Sequence, residues 1–445
     1  MKYFIPLFKI LFSLICLSSL SVNAADLFVY SGASYPDYSS IATAIDSSND
    51  GDRILVSSAT YNDDLNIYHK TISIIPMTSS DDFIIQGDII FHQDYPSTVM
   101  KKVTLSSAQI IGTIITNGTL ITPYEFNMID CEMFGDIFLN KHDISTNLYY
   151  SKFYNQISLN HSSEIVGNTM VAASGSTTLE VLAITDGVFN TSGVPESAII
   201  KIYANKIEDY RLNFNLLSST VANEINIANN YIFSDLSASS SNSALIQLTG
   251  PVTTSVVRNN TLQRYMYSSS SHFVKVYQTL LKIEIFNNLF LQDGNYGNSS
   301  FLSFSSSTIT YLKNNFFNYD FSNGNTFYLF TSNLIPNSFF DSDNIYDDTF
   351  SNPSSINSTN LNDSSGVPLT NLLTATENLG LNVIECRDID DTQNDIGTWG
   401  GPYSWANYHT PSIGKGKIID INLISTFGSS SNSLLNIRSK AINTK

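Results

Sequence analysis

The sequence predicts an all-β solenoid, in which a single chain winds into a right-handed parallel β-helix of about ten coils. The first observation is an asparagine that recurs in steps of 37, 25, 30, 28, 27 and 29 residues, a period typical of stacked repeats. The second is a composition with 12% aromatic and only 14% charged residues, which favours turns and pleated strands over helices. The recurring residues are Asn168, Asn205, Asn230, Asn260, Asn288, Asn315 and Asn344.

Residues 1–24 have the pattern of a secretory signal peptide. Lys2 and Lys9 accompany an apolar run, and Val22-Asn23-Ala24 supplies the small-residue pattern of a cleavage site. We expect cleavage after Ala24 and a secreted, periplasmic or cell-surface protein. The alternative is an uncleaved anchor, but the apolar run is shorter than the roughly 20 residues of a membrane-spanning helix. No later segment is long and apolar enough, so we expect no membrane span after cleavage.

Residues 25–76 are predicted to form an N-terminal cap and the first coil. Ile41, Ala44 and Ile45 have the i, i+3, i+4 spacing of a short amphipathic helix, and polar residues precede them as candidate N-caps. A solenoid exposes unpaired strand edges and an open core at its end. The helix is therefore expected to cover the core at the start of the stack.

Two segments resemble a known family. The order Ile41-Ala42-Thr43-Ala44-Ile45, Gly51-Asp52 and Ala59-Thr60-Tyr61 is similar to the opening of secreted parallel β-helix proteins of the pectate-lyase-like superfamily, although Ala59 stands where that family often has Gly. Residues 387–405 contain an acidic run, a Gly, an aromatic residue and Gly-Gly-Pro, which resembles the closing motif of many such proteins. The resemblance implies a fold and a secreted class, and no substrate.

The predicted coils occupy residues 77–350, and the recurring asparagine is placed at a corner of each coil. Asparagine tolerates the left-handed backbone of a sharp turn, and stacked carboxamides can form a hydrogen-bonded ladder. The alternative is that these asparagines line a sugar-binding groove. Because their spacing equals the coil length, the structural role is favoured.

Two further regions complete the chain. Residues 351–405 form a closing region, whose polar first part is expected to cover the far end of the stack. Residues 406–445 are predicted to form a small β-hairpin tail, with strands at Lys417–Leu423 and Leu434–Ile437.

Charge and cysteine content restrict the partners. The net charge is −17, and removal of the two signal-peptide lysines takes it to −19, which disfavours nucleic acid and makes polyanionic sugars poor unaided partners.

Cys131 and Cys386 lie about nine coils apart, roughly 45 Å at about 4.8 Å per coil, so no disulfide is expected between them. Cys131 is interpreted as an inward-facing core thiol, and the protein is expected to be a monomer.

The densest oxygen cluster marks a candidate calcium site at Asp388, Asp390 and Asp395. The pattern lacks the Gly and the closing Glu of an EF-hand. The alternative is that these carboxylates cap a turn. No other cofactor is indicated.

No catalytic signature is recognisable. The motif series of polygalacturonase-like hydrolases and pectin methylesterases is absent, and the six histidines lack metal-ligand spacing. A lyase needs a basic residue to remove a proton, for which Arg258 and Arg264 are the candidates, with a solvated charge as the alternative. Candidate aromatic residues for stacking against neutral sugars are Tyr149, Tyr150, Tyr265, Tyr267, Trp399, Tyr403 and Trp405.

The predicted function is an exported carbohydrate-associated or surface-exposed binding protein that has no recognisable catalytic site. One alternative is a diverged polysaccharide lyase or glycoside hydrolase. A second alternative is a structural or adhesive surface protein.

Overall fold

The structure is a computed structural model. It describes residues 24–32, 38–79, 82–93, 99–118, 123–139, 144–159, 162–171, 180–185, 199–209, 211–215, 224–234, 244–249, 254–265, 272–277, 282–293, 300–304, 309–318, 328–330, 338–342, 345–347, 395–398, 400–401, 403–404, 408, 416–427 and 434–443. Residues 1–23 of the predicted signal peptide, Asn344, and the predicted end cover at 351–386 with Cys386 lie outside the described residues.

Three parallel sheets, named A, B and C here, build a parallel β-helix as the sequence predicts. Sheet A has thirteen described strands: Asp26–Val29, Arg53–Val56, Ile72–Pro76, Lys101–Ser106, Tyr124–Ile129, Ile144–Tyr149, Ser163–Val166, Ile199–Tyr203, Glu224–Ala228, Thr254–Arg258, Lys282–Phe286, Ile309–Lys313 and Ser338–Ser342. Sheet B has twelve: Thr60–Tyr61, Phe83–Ile85, Ala108–Ile110, Glu132–Met133, Lys152–Phe153, Thr169–Val171, Lys206–Glu208, Tyr231–Ser234, Thr261–Tyr265, Leu289–Asp293, Phe316–Asn318 and Ile345–Asp347. Sheet C has eleven: Leu65–Tyr68, Ile89–His92, Ile114–Asn117, Ile137–Leu139, Ile157–Leu159, Glu180–Thr185, Arg211–Asn215, Ala244–Thr249, His272–Tyr277, Ser300–Phe304 and Tyr328–Phe330.

Each coil takes one strand from A, then B, then C, and we number the coils from the strand Arg53–Val56. The described strands make eleven complete coils and two strands of a twelfth, against about ten coils predicted. The prediction was low because early coils are short. Equivalent corner residues are 20 apart from Cys131 to Ser151 and 17 apart from Ser151 to Asn168, below the spacing that the asparagines follow later.

The core lies inside the three sheets and is built from stacked apolar side chains. Burial alternates along most strands, as in Phe83–Ile85, where both end residues are buried and the middle one is half-buried. Aromatic residues in successive coils stack, with Phe290 and Phe317 at 4.7 Å between ring centroids. Each such fully buried side chain contributes about 1.5–3 kcal/mol of burial free energy.

The helix Ile41–Ser47 caps the first coil, which confirms the predicted cap. Ile41 and Ala44 are fully buried, and the Ser40 hydroxyl accepts a hydrogen bond from the Thr43 N–H at 3.2 Å. At the other end of the helix, Lys70 Nζ donates to the carbonyl of Ile45 at 2.5 Å. A cation at a helix C-terminus compensates the exposed carbonyl dipoles, so the cap is fixed at both ends.

At the corner between sheets A and B, two neighbouring residues share the roles that the sequence analysis gave to one asparagine, namely the left-handed turn and the hydrogen-bonded ladder. The left-handed residue is the one before the recurring asparagine, with φ between 49° and 57° at the corner residues Asn229, Asn259, Asn287 and Asn314. The recurring residue itself points inward and is fully buried. These buried side chains form the predicted ladder, in which the carboxamide of each asparagine donates a hydrogen bond of about 3.0 Å to Oδ1 of the asparagine in the next coil; its members are Asn168, Asn205, Asn230, Asn260, Asn288 and Asn315.

The described part of the closing region lies along the side of the stack. We call residues 395–398, 400–401, 403–404 and 408 the strap. The Gly397 N–H donates to the Asn287 carbonyl at 2.8 Å. Tyr403 stacks on Tyr203 with ring centroids 4.3 Å apart. The strap therefore follows the A–B corner back towards the N-terminal coils.

The C-terminal tail is an antiparallel hairpin of Gly416–Phe427 and Leu434–Asn443, as predicted. In the described part of the chain, no helix has the length and hydropathy needed to cross a bilayer.

Candidate ligand-binding site

A row of polar side chains faces outward from sheet B in coils three to five. Gln109, Glu132 and Lys152 are register partners on neighbouring strands. Their neighbours Ile110, Met133 and Phe153 point inward and are almost fully buried. Because side chains alternate across a strand, burial of this apolar set in the core fixes the polar set on the outer face.

Glu132 is held by hydrogen bonds from two directions. Gln109 Nε2 donates to its Oε2 at 3.3 Å, and the Tyr154 hydroxyl donates to its Oε1 at 2.8 Å. Burial of Tyr154 and its hydrogen bond to this carboxylate raise the pKa of the tyrosine hydroxyl. The carboxylate is thus oriented before any ligand arrives, and each of its oxygens keeps a further lone pair for a ligand.

A cavity of about 180 Å³ opens beside this carboxylate. It is small beside the roughly 300–1,000 Å³ of pockets for drug-sized ligands, so it suits one ring-sized unit of a larger molecule. Among the described lining residues, three carry carboxylates and one is a cation. The described lining residues are Asp82, Ser107, Ala108, Gln109, Asp130, Cys131, Glu132, Tyr150 and Lys152.

An exposed apolar platform lies on the other side of Glu132. Phe134 and Tyr154 follow sheet B in coils four and five, and their rings stack with centroids 4.9 Å apart and planes 11° apart. Ile111 occupies the equivalent position in coil three and is 48% exposed, while Phe134 is 41% exposed. Tyr154 joins the platform to the cavity, because its hydroxyl binds the carboxylate that lines the cavity.

The turn after the platform depends on close backbone stacking. A Cβ on Gly135 would lie 2.0 Å from the carbonyl oxygen of Gly112, so only glycine allows these turns to stack. The next residue, Asp136, accepts a hydrogen bond from the Gln156 N–H at 3.0 Å. These contacts fix the coil spacing and thereby the spacing of the platform residues.

Tyr150 forms the wall of the cavity nearest the strap. It occupies the left-handed corner position with φ 52°, which is unusual for a bulky residue. Its ring packs over Gly167, where a Cβ would lie 2.6 Å from Tyr150 Cε1, and it stacks with Tyr408 of the strap at 6.4 Å. Burial raises the pKa of the Tyr150 hydroxyl. The Tyr150 ring, which stacks with Tyr408, therefore borders the cavity.

The strap covers the same outward row further along the stack. Thr261 and Leu289 continue the row in sheet B, yet both are fully buried. The hydroxyl oxygens of Thr261 and Thr398 lie 3.2 Å apart, and a Cβ on Gly397 would lie 3.3 Å from Leu289 Cβ. The outer face of sheet B is thus covered in coils nine and ten and accessible in coils three to five.

Comparisons with known proteins support no family assignment. No protein-family model matches the sequence, and no curated protein matches it. Among solved structures, a rhamnogalacturonan lyase is similar with a TM-score of 0.33 and 12% identity, over 72% of this chain and 87% of that one. Pectate lyase Pel9A is similar with a TM-score of 0.33 and 13% identity, over 86% of this chain and 97% of that one. The chain is a parallel β-helix. That assignment rests on its own three continuous parallel sheets.

The candidate calcium residues are only partly described. Asp388 and Asp390 lie outside the described residues. The backbone carbonyl of Asp395 accepts a hydrogen bond from Asn259 Nδ2 at 3.0 Å, which anchors the strap to coil nine. The described residues contain no group of three or more His, Cys, Asp or Glu side chains placed to hold a metal ion. Calcium binding by the acidic run stays a prediction.

The two candidate arginines differ in their surroundings. Arg264 is 2% exposed and donates from Nη1 to the His272 carbonyl at 2.7 Å, so the expectation of a solvated charge was wrong for it. The Arg258 guanidinium lies 5.9 Å from the ring centroid of Tyr403 and contributes to strap packing. Neither is among the described residues that line the cavity.

The candidate stacking aromatics are also differently used. Tyr149, Tyr150 and Tyr403 are at most 8% exposed, so they pack within the corner instead of offering open rings. Tyr267, Trp399 and Trp405 lie outside the described residues, as does the side chain of Tyr265. Sequence reasoning missed the platform residue Phe134 and the carboxylate of Glu132. The signal that could have found Glu132 is its position in the coil. Glu132 lies two residues after the corner residue Asp130, just as Lys152 lies two residues after the corner residue Tyr150.

Proposed function

We propose that this protein is exported and binds carbohydrate on the accessible outer face of sheet B in coils three to five. The observation that carries the proposal is the Glu132 carboxylate, fixed by Gln109 and Tyr154 next to the stacked rings of Phe134 and Tyr154. Carboxylate and amide oxygens accept hydrogen bonds from sugar hydroxyls, and the apolar C–H face of a sugar ring packs on an aromatic face. The two elements lie side by side, as a sugar with one polar edge and one apolar face requires.

The scaffold favours binding because the groups are positioned before the ligand arrives. Gln109, Glu132 and Lys152 sit on adjacent parallel strands whose inner faces are buried. Little ordering of Gln109 and Glu132 is needed on association, because they are already hydrogen-bonded, and this reduces the entropic cost of binding. The cavity accommodates one ring-sized unit, so longer glycans would extend from it across the platform.

The test is a binding screen on a glycan array, followed by calorimetric titration of the best ligand. We expect Glu132→Gln and Phe134→Ala each to weaken binding by about tenfold or more, the effect of losing a central contact. Phe28→Ala is the matched control, because Phe28 is also an exposed aromatic, at 38%, and lies on the first strand of sheet A. The control should bind like the unchanged protein.

Two results would contradict the proposal. The first is that no glycan is retained on the array. The second is that Phe134→Ala and Phe28→Ala have equal affinity for the best ligand. The same samples are assayed for reducing ends and unsaturated products, since their release would favour the hydrolase or lyase alternative.

A further inference from the structure

We infer that the preferred ligand is a cationic glycan, a chain of sugar rings that carry free primary ammonium groups. This inference rests on the proposed function and names the substrate class of the same site. It is drawn from the charges around the cavity. The described lining residues include three acidic ones, Asp82, Asp130 and Glu132, and one basic one, Lys152.

The negative charge around the cavity disfavours acidic sugars and favours sugars that carry ammonium groups. A uronate carboxylate entering the cavity meets an excess of negative charge, because the described lining holds three acidic residues and one basic residue. An ammonium group in the same place is attracted by this excess of negative charge. The whole chain, with a net charge of −17, adds a long-range field of the same sign that attracts cations and repels polyanions.

The neighbouring groups fit an ammonium-bearing ring. Glu132 already accepts from Gln109 and Tyr154, and a carboxylate has about four lone-pair sites, so two remain for N–H donors of the ligand. Phe134, which is 41% exposed, adds a second attraction where a cation reaches its ring, since aromatic rings bind cations through the ring quadrupole. The sugar ring packs on the platform while its amine reaches the carboxylates.

Two neighbouring side chains of opposite charge allow variants that should change cation binding in opposite directions. Glu132 and Lys152 are direct register partners. Glu132→Gln removes a negative charge and should lower the preference for cationic ligands. Lys152→Gln removes the positive charge and should strengthen cation binding about two- to fivefold, the range measured for exposed charge pairs. Asp46→Asn on the cap helix is the control for loss of one exposed negative charge far from the cavity.

The experiment measures affinities for four probes at low salt: fully deacetylated chitohexaose, its N-acetylated form, an oligogalacturonate of equal length, and spermidine. We expect the deacetylated hexamer to bind at least about tenfold more tightly than the acetylated one. Salt should weaken the binding of the charged hexamer and leave that of the neutral one nearly unchanged.

The outcomes separate this inference from the proposed function. Equal binding of the two hexamers, or binding of the oligogalacturonate, overturns the charge preference and leaves carbohydrate binding intact. Spermidine binding as tightly as the deacetylated hexamer overturns the requirement for sugar rings. Failure of all four probes, together with an empty glycan array, overturns the proposed function and this inference together.

Discussion

Asn260 Oδ1 accepts a hydrogen bond of 3.0 Å from the carboxamide of Asn230, although 30 residues separate them in the sequence. The same oxygen accepts the Asn230 backbone N–H at 2.9 Å. On its other side, Asn260 Nδ2 donates to Asn288 Oδ1 at 3.0 Å. One buried side chain therefore links three coils, and the stability of the stack depends on it.

Asn260→Ala is expected to destabilise the stack by about 3–5 kcal/mol. Removal of the carboxamide leaves the Asn230 amide groups and the Ile227 carbonyl without this partner in the core, and each such group costs about 1–3 kcal/mol. Urea denaturation followed by circular dichroism measures the change. Asn117→Ala is the control, because Asn117 is exposed at the end of a sheet C strand, and it should change stability by no more than about 0.5 kcal/mol. If Asn260→Ala and Asn117→Ala change the free energy of unfolding equally, the ladder contributes no more to stability than an exposed asparagine does.

Gly397→Ala is expected to release the strap from sheet B. Gly397 has φ +94°, and an added Cβ would lie 3.0 Å from the Thr261 hydroxyl oxygen. Hydrogen exchange of residues 395–408 should accelerate, because the strap lifts before the stack unfolds. Gly32→Ala is the control: Gly32 has φ +79° and open space around its Cβ position, so it carries backbone strain without the clash. Unchanged exchange in Gly397→Ala would contradict the packing described for the strap.

Cys131 is expected to be unreactive in the folded protein. Burial raises the pKa of its thiol from 9.0 to about 12, and its Sγ lies 3.3 Å from the Ile129 carbonyl oxygen. At pH 8 the reactive thiolate is therefore about 1,000-fold scarcer than for a thiol with the ordinary pKa. Alkylation of a Cys16→Ser/Cys386→Ser chain should be slow when folded and fast in denaturant. Rapid labelling of the folded chain would contradict the inward placement of this residue.

Protonation of Asp50 in acid is expected to break its ion pair with Lys101 and to destabilise the cap. Burial raises the pKa of Asp50, but hydrogen bonds from Lys101 at 2.5 Å and from the Thr71 N–H, with the charge of Lys101, lower it further, so its net pKa is below the ordinary value. A lowered folded-state pKa means that the stabilisation is complete above the unfolded-state pKa, about 3.9, and is lost as the pH falls through the folded-state pKa.

The variant Asp50→Asn tests this pH dependence. It should lower the urea midpoint at pH 7 and reduce the further loss between pH 5 and pH 2. Asp46→Asn, which removes an exposed carboxylate on the cap helix, should keep the acid sensitivity of the unchanged protein. If Asp50→Asn loses stability with acid as steeply as the unchanged protein, the ion pair does not contribute.

Several elements could be predicted because their signals are local or repeat at the coil length. The spacing of Ile41, Ala44 and Ile45 predicts a helix face, and that face is buried. The recurrence of Asn230 and Asn260 predicts a ladder, and the ladder is present. The sequence analysis did not distinguish the left-handed residue Asn259 from the buried ladder residue Asn260. The two are the same residue type, and only the backbone geometry tells them apart.

The sequence by itself determined that the chain winds into a parallel β-helix with a helical cap, because periodicity and apolar alternation are written in neighbouring residues. Only the tertiary structure decided which surface is available for a ligand. Glu132, Gln109 and Tyr154 come from three different coils, and their contact follows from the register between strands about 20 residues apart. Burial of Thr261 depends on Thr398, 137 residues away, because the strap returns along the stack and covers one part of sheet B while the cavity stays open.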